Sequence, residues 1–555
     1  MIPHLEKKGS DTLLMVHDRP YVMLAGEVHN SNSSTDALVR ESWEKAGALG
    51  MNTLLMPVAW EMIEPTEGEF HFAIVESMLN RAREAGGKLV LLWFGAWKNA
   101  ECMYAPPWVK TDPARFHRAE VVQGERKSMI GKGQMKRPYT TLSAFCGETL
   151  RADAKAFAAL MRYLEQHDGE ENTVLAVQVE NETGLLGAAR EHGGAADEAF
   201  RAPVPQDFVQ YMRQHSASMD SDVRRAVEAG ASSGSWEEVF GGCAEEIFQA
   251  YFTASFVNRV AEAGKHEYPL PMVANCWLRK PGEEPGDYPS GGPVSRMHEV
   301  WSFAAPEIDI LCPDIYVPDF MQVCEASMKN GNPLFIPECA THSYAGPRMV
   351  YAVGHYHALC YSPFGFEEMG EPFNAMQSIL FGADVTDPAL KTPQPVEEYR
   401  SCALALGQLM PLITERYGTG DVQAACAEAA EAAGAQAAFG AASGSAPANG
   451  MKMPMLTLGK TGILPMFSLP LLEAKNGVVL SVRTGEDEGY LLAAHALLVL
   501  QSLDPSAPNI DILDMEEGHF EDGTWIVDRR RNGDEAAFLK IEEPTILHVR
   551  TFRYA

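Results

Sequence analysis

The chain is short of cations. Lys plus Arg number 45 against 75 Asp plus Glu, a formal charge of −30 over 555 residues. A field of that sign repels phosphate backbones and anionic lipid, so neither nucleic acid nor a membrane is an expected partner. None of the ten cysteines forms a Cys-x-x-Cys pair, which argues against zinc ribbons and thioredoxin-like redox sites. Several lie inside apolar runs, as reduced, buried thiols do in a reducing compartment. No apolar run reaches the roughly 20 residues of a membrane span, and Met1–Lys8 has no apolar signal-peptide core. A cytoplasmic protein is expected. Gly-x-Gly-x-x-Gly is missing after the first apolar run, and no Gly-x-Ser-x-Gly elbow follows any strand. Dinucleotide binding and Ser-His-Asp hydrolysis therefore lack their usual sequence marks.

What is present is a large stock of core-forming residues, 46% hydrophobic with 22% charged, in a chain long enough for two or three domains. Over the first 413 residues one theme repeats: a short apolar run, a loop, a helical stripe. The runs are Tyr21–Ala25, Asn52–Pro57, Lys88–Phe94, Thr173–Val179, Pro271–Asn275, Asp309–Pro313, Pro333–Pro337 and His357–Pro363. They read as parallel strands covered on both faces. Stripes such as Val39, Trp43, Ala46, Leu49 and Phe157, Leu160, Met161, Leu164 supply the helices between them. Eight such units predict an α/β fold, a (β/α)8 TIM barrel over residues 1–413, with an insertion around 185–242.

Beyond residue 413 the texture changes, and residues 414–555 read as a C-terminal all-β, sandwich-like domain. Its Ala/Gly/Ser-rich stretch, 424–450, is expected to be mobile. Strands are expected at Leu456–Leu458, Val478–Val482, Tyr490–Val499, Thr524–Val527 and Ile546–Phe552. Asn532-Gly533 predicts a hairpin joining Arg529–Arg531 to Ala536–Ile541.

Chemistry in such a barrel sits at the C-terminal ends of the strands, which narrows 75 carboxylates to a few. In Val177-Gln178-Val179-Glu180-Asn181-Glu182, strand alternation places Gln178, Glu180 and Glu182 on one face, towards the axis. Glu180 is expected in a satisfied network with basic or amide partners, and Glu182 at the mouth is the functional candidate. Leu334, Ile336 and Glu338 share a face of the seventh run, with Glu338 at its end, placed either to cap the next helix or to react. Two carboxylates across one mouth can divide acid and nucleophile roles in glycoside hydrolysis.

Gln178-Val179-Glu180-Asn181-Glu182, with a Glu ending the seventh strand, resembles the signature of clan A glycoside hydrolases. Together with Trp93–Asn99, Pro107–Lys110, Tyr288–Pro293, Pro313–Tyr316 and Ser362–Gly365, the chain resembles the family 35 β-galactosidases of the bacterial branch with an extra C-terminal β domain. That resemblance implies a retaining enzyme with Glu182 as general acid/base and Glu338 as nucleophile. It further implies Asn181 on the sugar 2-hydroxyl, Tyr316 orienting Glu338, a small β-galactoside substrate, and no metal or organic cofactor. The chain departs from the family pattern at Thr183-Gly184, at Gly26-Glu27-Val28-His29-Asn30, and after the third strand, where Lys98 and Asn99 stand in place of a glutamate. These positions touch the sugar, so glucosides, fucosides and α-L-arabinosides stay open as substrates.

Glu27, Glu61 and Glu367 are candidates for sugar hydroxyls. Trp60, Trp97 and Trp277 are candidate stacking platforms, with Trp93 and Phe364 behind them. Two readings compete. A metal-dependent barrel hydrolase would use His355-x-His357 helped by His29, His298 and His342; a non-catalytic carbohydrate-binding protein would lack the two carboxylates. Homo-oligomerisation is left open.

Overall fold

The computed structural model describes residues 1–121, 141–317, 319–341, 344–371, 396–430, 454–469, 472–473, 476–531, 533–537 and 539–555. Three short strands lead the chain, β1 (His4–Lys8), β2 (Asp11–Val16) and β3 (Arg19–Tyr21), in an antiparallel sheet. Eight parallel strands follow: β4 (Met23–Glu27), β5 (Thr53–Ala59), β6 (Lys88–Lys98), β7 (Val174–Asn181), β8 (Met272–Trp277), β9 (Ile310–Asp314), β10 (Phe335–Cys339) and β11 (Cys360–Pro363). Each coincides with one of the eight apolar runs. Their order is β10-β11-β4-β5-β6-β7-β8-β9, and a parallel bridge between Ile315 and Cys339 joins the two ends, so the sheet closes into a barrel.

Apolar residues facing inward, among them Met23, Ala25, Leu55, Val90, Leu92, Ala176, Val273, Ile310 and Phe335, pack with Leu14 and Val16 of β2. The leading sheet thus plugs the floor of the barrel and leaves the C-terminal mouth for chemistry. Helices cover the outside, started and stopped by local signals. Thr35 Oγ1 accepts from Leu38 N (3.4 Å) at the start of Asp36–Ala48, and Gly86, at φ +68°, ends Ala73–Ala85. After β7 the inserted stretch folds as four short helices, Gly194–Arg201, Gln206–Gln214, Ser221–Ala229 and Trp236–Phe240, before the long helix Ala244–Glu267.

The C-terminal region holds a six-stranded antiparallel sheet, in the order Val422–Cys426, Val478–Arg483, Glu488–Ala494, Thr545–Tyr554, Asn509–Glu521, Thr524–Arg530. A four-stranded sheet faces it: Leu456–Leu458, Thr461–Met466, Ala496–Ser502, Leu539–Ile541. Leu458, Ile463, Val479, Leu491, Leu498 and Val549 fill the space between, so the region is a sandwich. On the outer face of the larger sheet Leu480 packs so closely on Gly354 that a Cβ there would come within 2.6 Å.

Three expectations fail here. Tyr490–Val499 is not one strand: His495, at φ +48°, breaks it, and the two halves belong to different sheets. Asn532 of the expected Asn532-Gly533 hairpin lies outside the described residues, and the strands on either side of it do not pair with each other. Thr524–Arg530 pairs with Asn509–Glu521, Leu539–Ile541 pairs with Ala496–Ser502, and Asp534–Ala537 between them is helical. Cross-sheet packing overrode the local turn signal. In the stretch expected to be mobile, 424–450, residues 424–426 end the strand Val422–Cys426 of the larger sheet and 427–430 are helical; 431–450 lies outside the described residues.

Candidate active site

Period-two alternation fails at the ends of both key strands. On β7, Ala176 faces the interior and Val177 and Val179 the outer helices, as expected. Glu180 then adopts φ +63° and Glu182 φ +43°, left-handed conformations that cost about 1–3 kcal/mol each unless the surroundings hold them. The twist turns Glu180 out of the barrel towards helix Gly147–Asp168, where it meets Asp153 instead of a basic or amide group. Glu182 is turned in. Three backbone or side-chain groups hold it there: its N–H donates to Asn275 Oδ1 (2.9 Å), its carbonyl accepts from Ala100 N (3.0 Å), and the Asn181 carbonyl accepts from Asn99 N (3.1 Å). On β10, Phe335 points inward and Ile336 outward, and a register shift between Ile336 and Cys339 brings Glu338 to the inside. Ile336 and Glu338 therefore do not share a face.

Glu338 is fully engaged. Tyr316 donates to Oε2 (2.8 Å), Asn181 and Asn275 each reach Oε1 at 3.3 Å, and Lys98 Nζ stands 3.9 Å from Oε1. Asn99 donates to Glu182 Oε2. One oxygen each of Glu182, Asp314 and Glu338 lies within 4.8 Å of the others, all three residues buried. Burial, and then the charge on Glu338, push the Glu182 carboxyl up to about 8. Glu27 and Asp314 are raised well above the carboxylate range by burial first and Glu338 second. Burial opposes the charge on Lys98, but Glu338, Glu182, Glu27 and Asp314 outweigh it and raise its pKa.

Buried polar atoms usually have partners, yet here several do not. Both oxygens of Glu27, Gln178 Oε1, Asn181 Oδ1, Thr183 Oγ1, Asp314 Oδ1 and Ser362 Oγ are buried without one. They come from the last turns of β4, β7, β9 and β11 and the loop after β7, and together offer donors and acceptors to a ligand rich in hydroxyls.

The stacking candidates divide. Trp60 donates to Glu64 (2.9 Å) and meets Trp108 edge-on; Trp97 donates to the Leu142 carbonyl (3.0 Å) and packs on Phe256. Both are buried in the outer core and face no sugar, and Trp93 is likewise internal. Trp277, at the end of β8, stays half-exposed beside the mouth. Glu61 pairs with Lys110 (2.8 Å), and Glu367 accepts from His29 N and Asn32 at the rim.

Two site residues escaped notice. Asn275 binds Asp314 Oδ2 (2.8 Å), Glu338 and the Glu182 amide together. Asp314 is the third carboxyl. Strand period two would have found both, since Asn275 follows the inward Val273 and Asp314 follows the inward Ile310 and Cys312.

Glu182, Asp314 and Glu338 are spaced to hold a metal ion, although Lys98 already supplies a cation beside them. The histidines of the metal reading do not converge. His355 stacks on Tyr351, and His357, at the floor end of β11, binds Asp11 (2.6 Å). His298 is buried in the helix after β8, and His29 faces Glu368; His342 lies outside the described residues.

Comparison with known proteins gives two family matches. Residues 29–213 match the family model of glycoside hydrolase family 42, described as "Beta-galactosidase", and residues 404–541 match a "Domain of unknown function (DUF5597)". The assignment to family 35 is thereby corrected: the β-galactosidase model that matches is that of family 42. A "Beta-galactosidase" of Xanthomonas manihotis is 29% identical over 197 residues, 34% of this chain and 28% of that protein, so the match spans little more than a quarter of the relative's length. Among solved structures, a β-galactosidase from the psychrophilic Marinomonas ef1 has TM-score 0.44 at 14% identity, covering 71% of this chain and 61% of that one. The exo-β-1,4-mannosidase Op5Man5 of an Opitutaceae bacterium has 0.41 at 12%, covering 73% and 62%.

Proposed function

We propose that the chain is a retaining glycosidase that removes terminal non-reducing β-D-galactosyl residues, with Glu182 as acid/base and Glu338 as nucleophile. The observation that carries this is the pairing of two carboxyls, oxygens within 4.8 Å, in opposite electrostatic settings. Carboxyls so close suit double displacement; inversion needs roughly 6.5–9.5 Å to admit a water. Glu182, held protonated up to about 8, gives its proton to the glycosidic oxygen. Glu338, oriented by Lys98 and three hydrogen-bond donors, attacks the anomeric carbon. The bond to the leaving oxygen breaks as the glycosyl–Glu338 ester forms. Glu182, now ionised, takes a proton from water, whose oxygen displaces Glu338 and restores the starting anomer. Asn181, whose amide nitrogen sits 3.3 Å from Glu338, is placed to hold the neighbouring hydroxyl of the sugar. The match of residues 29–213 to a β-galactosidase model favours galactose as that sugar. A reducing cytoplasmic setting belongs to the same reading, supported by ten free thiols of which nine are buried.

The test is a panel of nitrophenyl β-galactoside, β-glucoside, β-fucoside, β-xyloside and α-arabinoside, with Glu338→Gln as the blank. A dominant rate on the galactoside, abolished in the blank and releasing the β anomer first by NMR, is expected. A panel at blank level throughout rejects hydrolysis, and an α anomer first rejects retention.

A further inference from the structure

Two residues before Glu182, Glu180 of β7 forms with Asp153 of helix Gly147–Asp168 an acid pair that the reaction does not use. β6 and β7 run in register as far as Trp93 opposite Val179 and resume at Lys98 opposite Asn181. Four residues, Phe94–Trp97, thus face one, Glu180, and the bulge re-aims the end of β6 so that Lys98 and Asn99 reach the carboxylates. Two carboxyls fill the space under it. Glu180 Oε2 accepts from Trp97 N (2.7 Å); Asp153 Oδ1 accepts from Trp93 Nε1 (2.8 Å) and Oδ2 from Ala96 N (3.1 Å). Glu180 Oε1 is buried without a partner unless it carries a proton. Gly95 closes the lid: a Cβ there would lie 2.6 Å from both Asp153 Oδ1 and Glu180 Oε1.

We propose that Glu180 and Asp153 are a positioning pair sharing one proton, held on Glu180 and donated to Asp153, and that this pair fixes the bulge delivering Lys98 and Asn99 to the site. Every neighbour of Asp153 is a donor, so it must be the ionised, acceptor-only partner; the orphaned oxygen of Glu180 is then its O–H. No cation pairs with either carboxyl among the described residues; burial raises Asp153 too, the hydrogen bonds from Glu180, Trp93 and Ala96 oppose that, and Glu64, of the same sign, from the turn after β5, adds to it. Two charges cannot share such a site. Burial, then Asp153, raise Glu180 well above the carboxylate range, in keeping with the geometry.

The pair predicts an asymmetry between two conservative variants. In Glu180→Gln the amide oxygen still accepts from Trp97 and the N–H still donates to Asp153. In Asp153→Asn an N–H must face Trp93, Ala96 or the Glu180 proton. Because Glu180 binds its proton more tightly folded than unfolded, the wild type loses stability as pH rises above the ordinary carboxylate range, and Glu180→Gln lacks that loss. The melting temperature of Glu180→Gln relative to wild type should therefore climb between about pH 5 and about pH 9. A constant difference across that range overturns the shared proton. On the best nitrophenyl glycoside, Glu180→Ala should lose about tenfold or more in kcat, with Glu180→Gln restoring it to within about twofold. Glu180→Gln as damaging as Glu180→Ala overturns the pair as well. The activity arm rests on the glycosidase reading and the melting arm does not: a wild type inactive on every glycoside, with the predicted melting trend intact, would sink the former alone.

Discussion

Glu180, on β7, and Glu182, just past its end, each belong to a buried acid pair, and the two pairs are built differently. Glu180 and Asp153 lie outside the barrel wall, without a cation, closed over by Gly95 and surrounded by N–H donors. Glu182 and Glu338 lie inside it, with Lys98 beside one, two side-chain amides and a tyrosine directed at it, and orphaned polar atoms around both. The first pair can hold its proton in only one place, so it is a brace. The second has a cation to stabilise one charge and a space in which the proton's destination changes, so it can do work on a ligand. Burial raises the pKa of Glu180 and Asp153 in the first pair and of Glu182 in the second; what separates the two pairs is the counter-charge and the room.

The largest test of that contrast removes the movable proton. Glu182→Gln should cost about 10²–10⁴-fold in kcat on substrates with poorly acidic leaving groups and distinctly less on nitrophenyl glycosides, which need little protonation. A uniform loss across leaving groups would deny Glu182 its acid role. In the wild type, the alkaline limb of kcat/KM should fall as pH rises through about 8, because the acid form is lost there. Glu182→Gln should abolish that limb.

Removing the counter-charge comes next. Lys98→Met should lower kcat/KM by about 10²-fold, since it removes the cation that stands 3.9 Å from Glu338. A near-wild-type rate would show that the three hydrogen bonds to Glu338 alone suffice. Asn275→Ala should cost about tenfold in kcat and about 1–3 kcal/mol of stability, leaving the Glu182 amide and the left-handed turn unsupported. A wild-type rate with the stability loss would make Asn275 purely structural. The smallest effect is expected at the rim: Trp277→Ala should raise KM a few-fold with kcat little changed. Trp97→Ala, by contrast, should cost about 3–5 kcal/mol of stability as a core cavity. A reversal of these two outcomes would mean that Trp97 faces the sugar.

The barrel was legible because each strand is a compact apolar run, buried on both faces, and helix stripes separate the runs. Glu182 and Glu338 were legible as types at strand ends. Their orientation was not, because the alternation rule holds only for regular backbone and fails where Glu180 and Glu182 turn left-handed and where β10 shifts register. Applied to the regular strands, the same rule would have named Asn275 and Asp314. Trp60 and Trp97 misled because polar sequence neighbours say nothing about which way a large ring turns. In the C-terminal region the Asn-Gly signal is local, whereas the partner strands were chosen by a sandwich core assembled from distant residues.

The barrel closes at a seam. β9 and β10 are joined by a single bridge, with Ile315 N donating to the Glu338 carbonyl (2.8 Å) and Ala340 N to Ile315 O (3.3 Å), whereas β5 and β6 share a seven-residue ladder. Local opening draws on the free energy of the bonds that must break, so the seam is where this cylinder breathes at least cost. The residue on one lip is Glu338, the proposed nucleophile, and one residue beyond Ile315 on the other is Tyr316, which donates to it. Amide exchange at Ile315 and Ala340 thus doubles as a gauge of how often Glu338 leaves its hydrogen-bonded arrangement, and a sugar spanning the mouth would slow that exchange like a stitch across the gap.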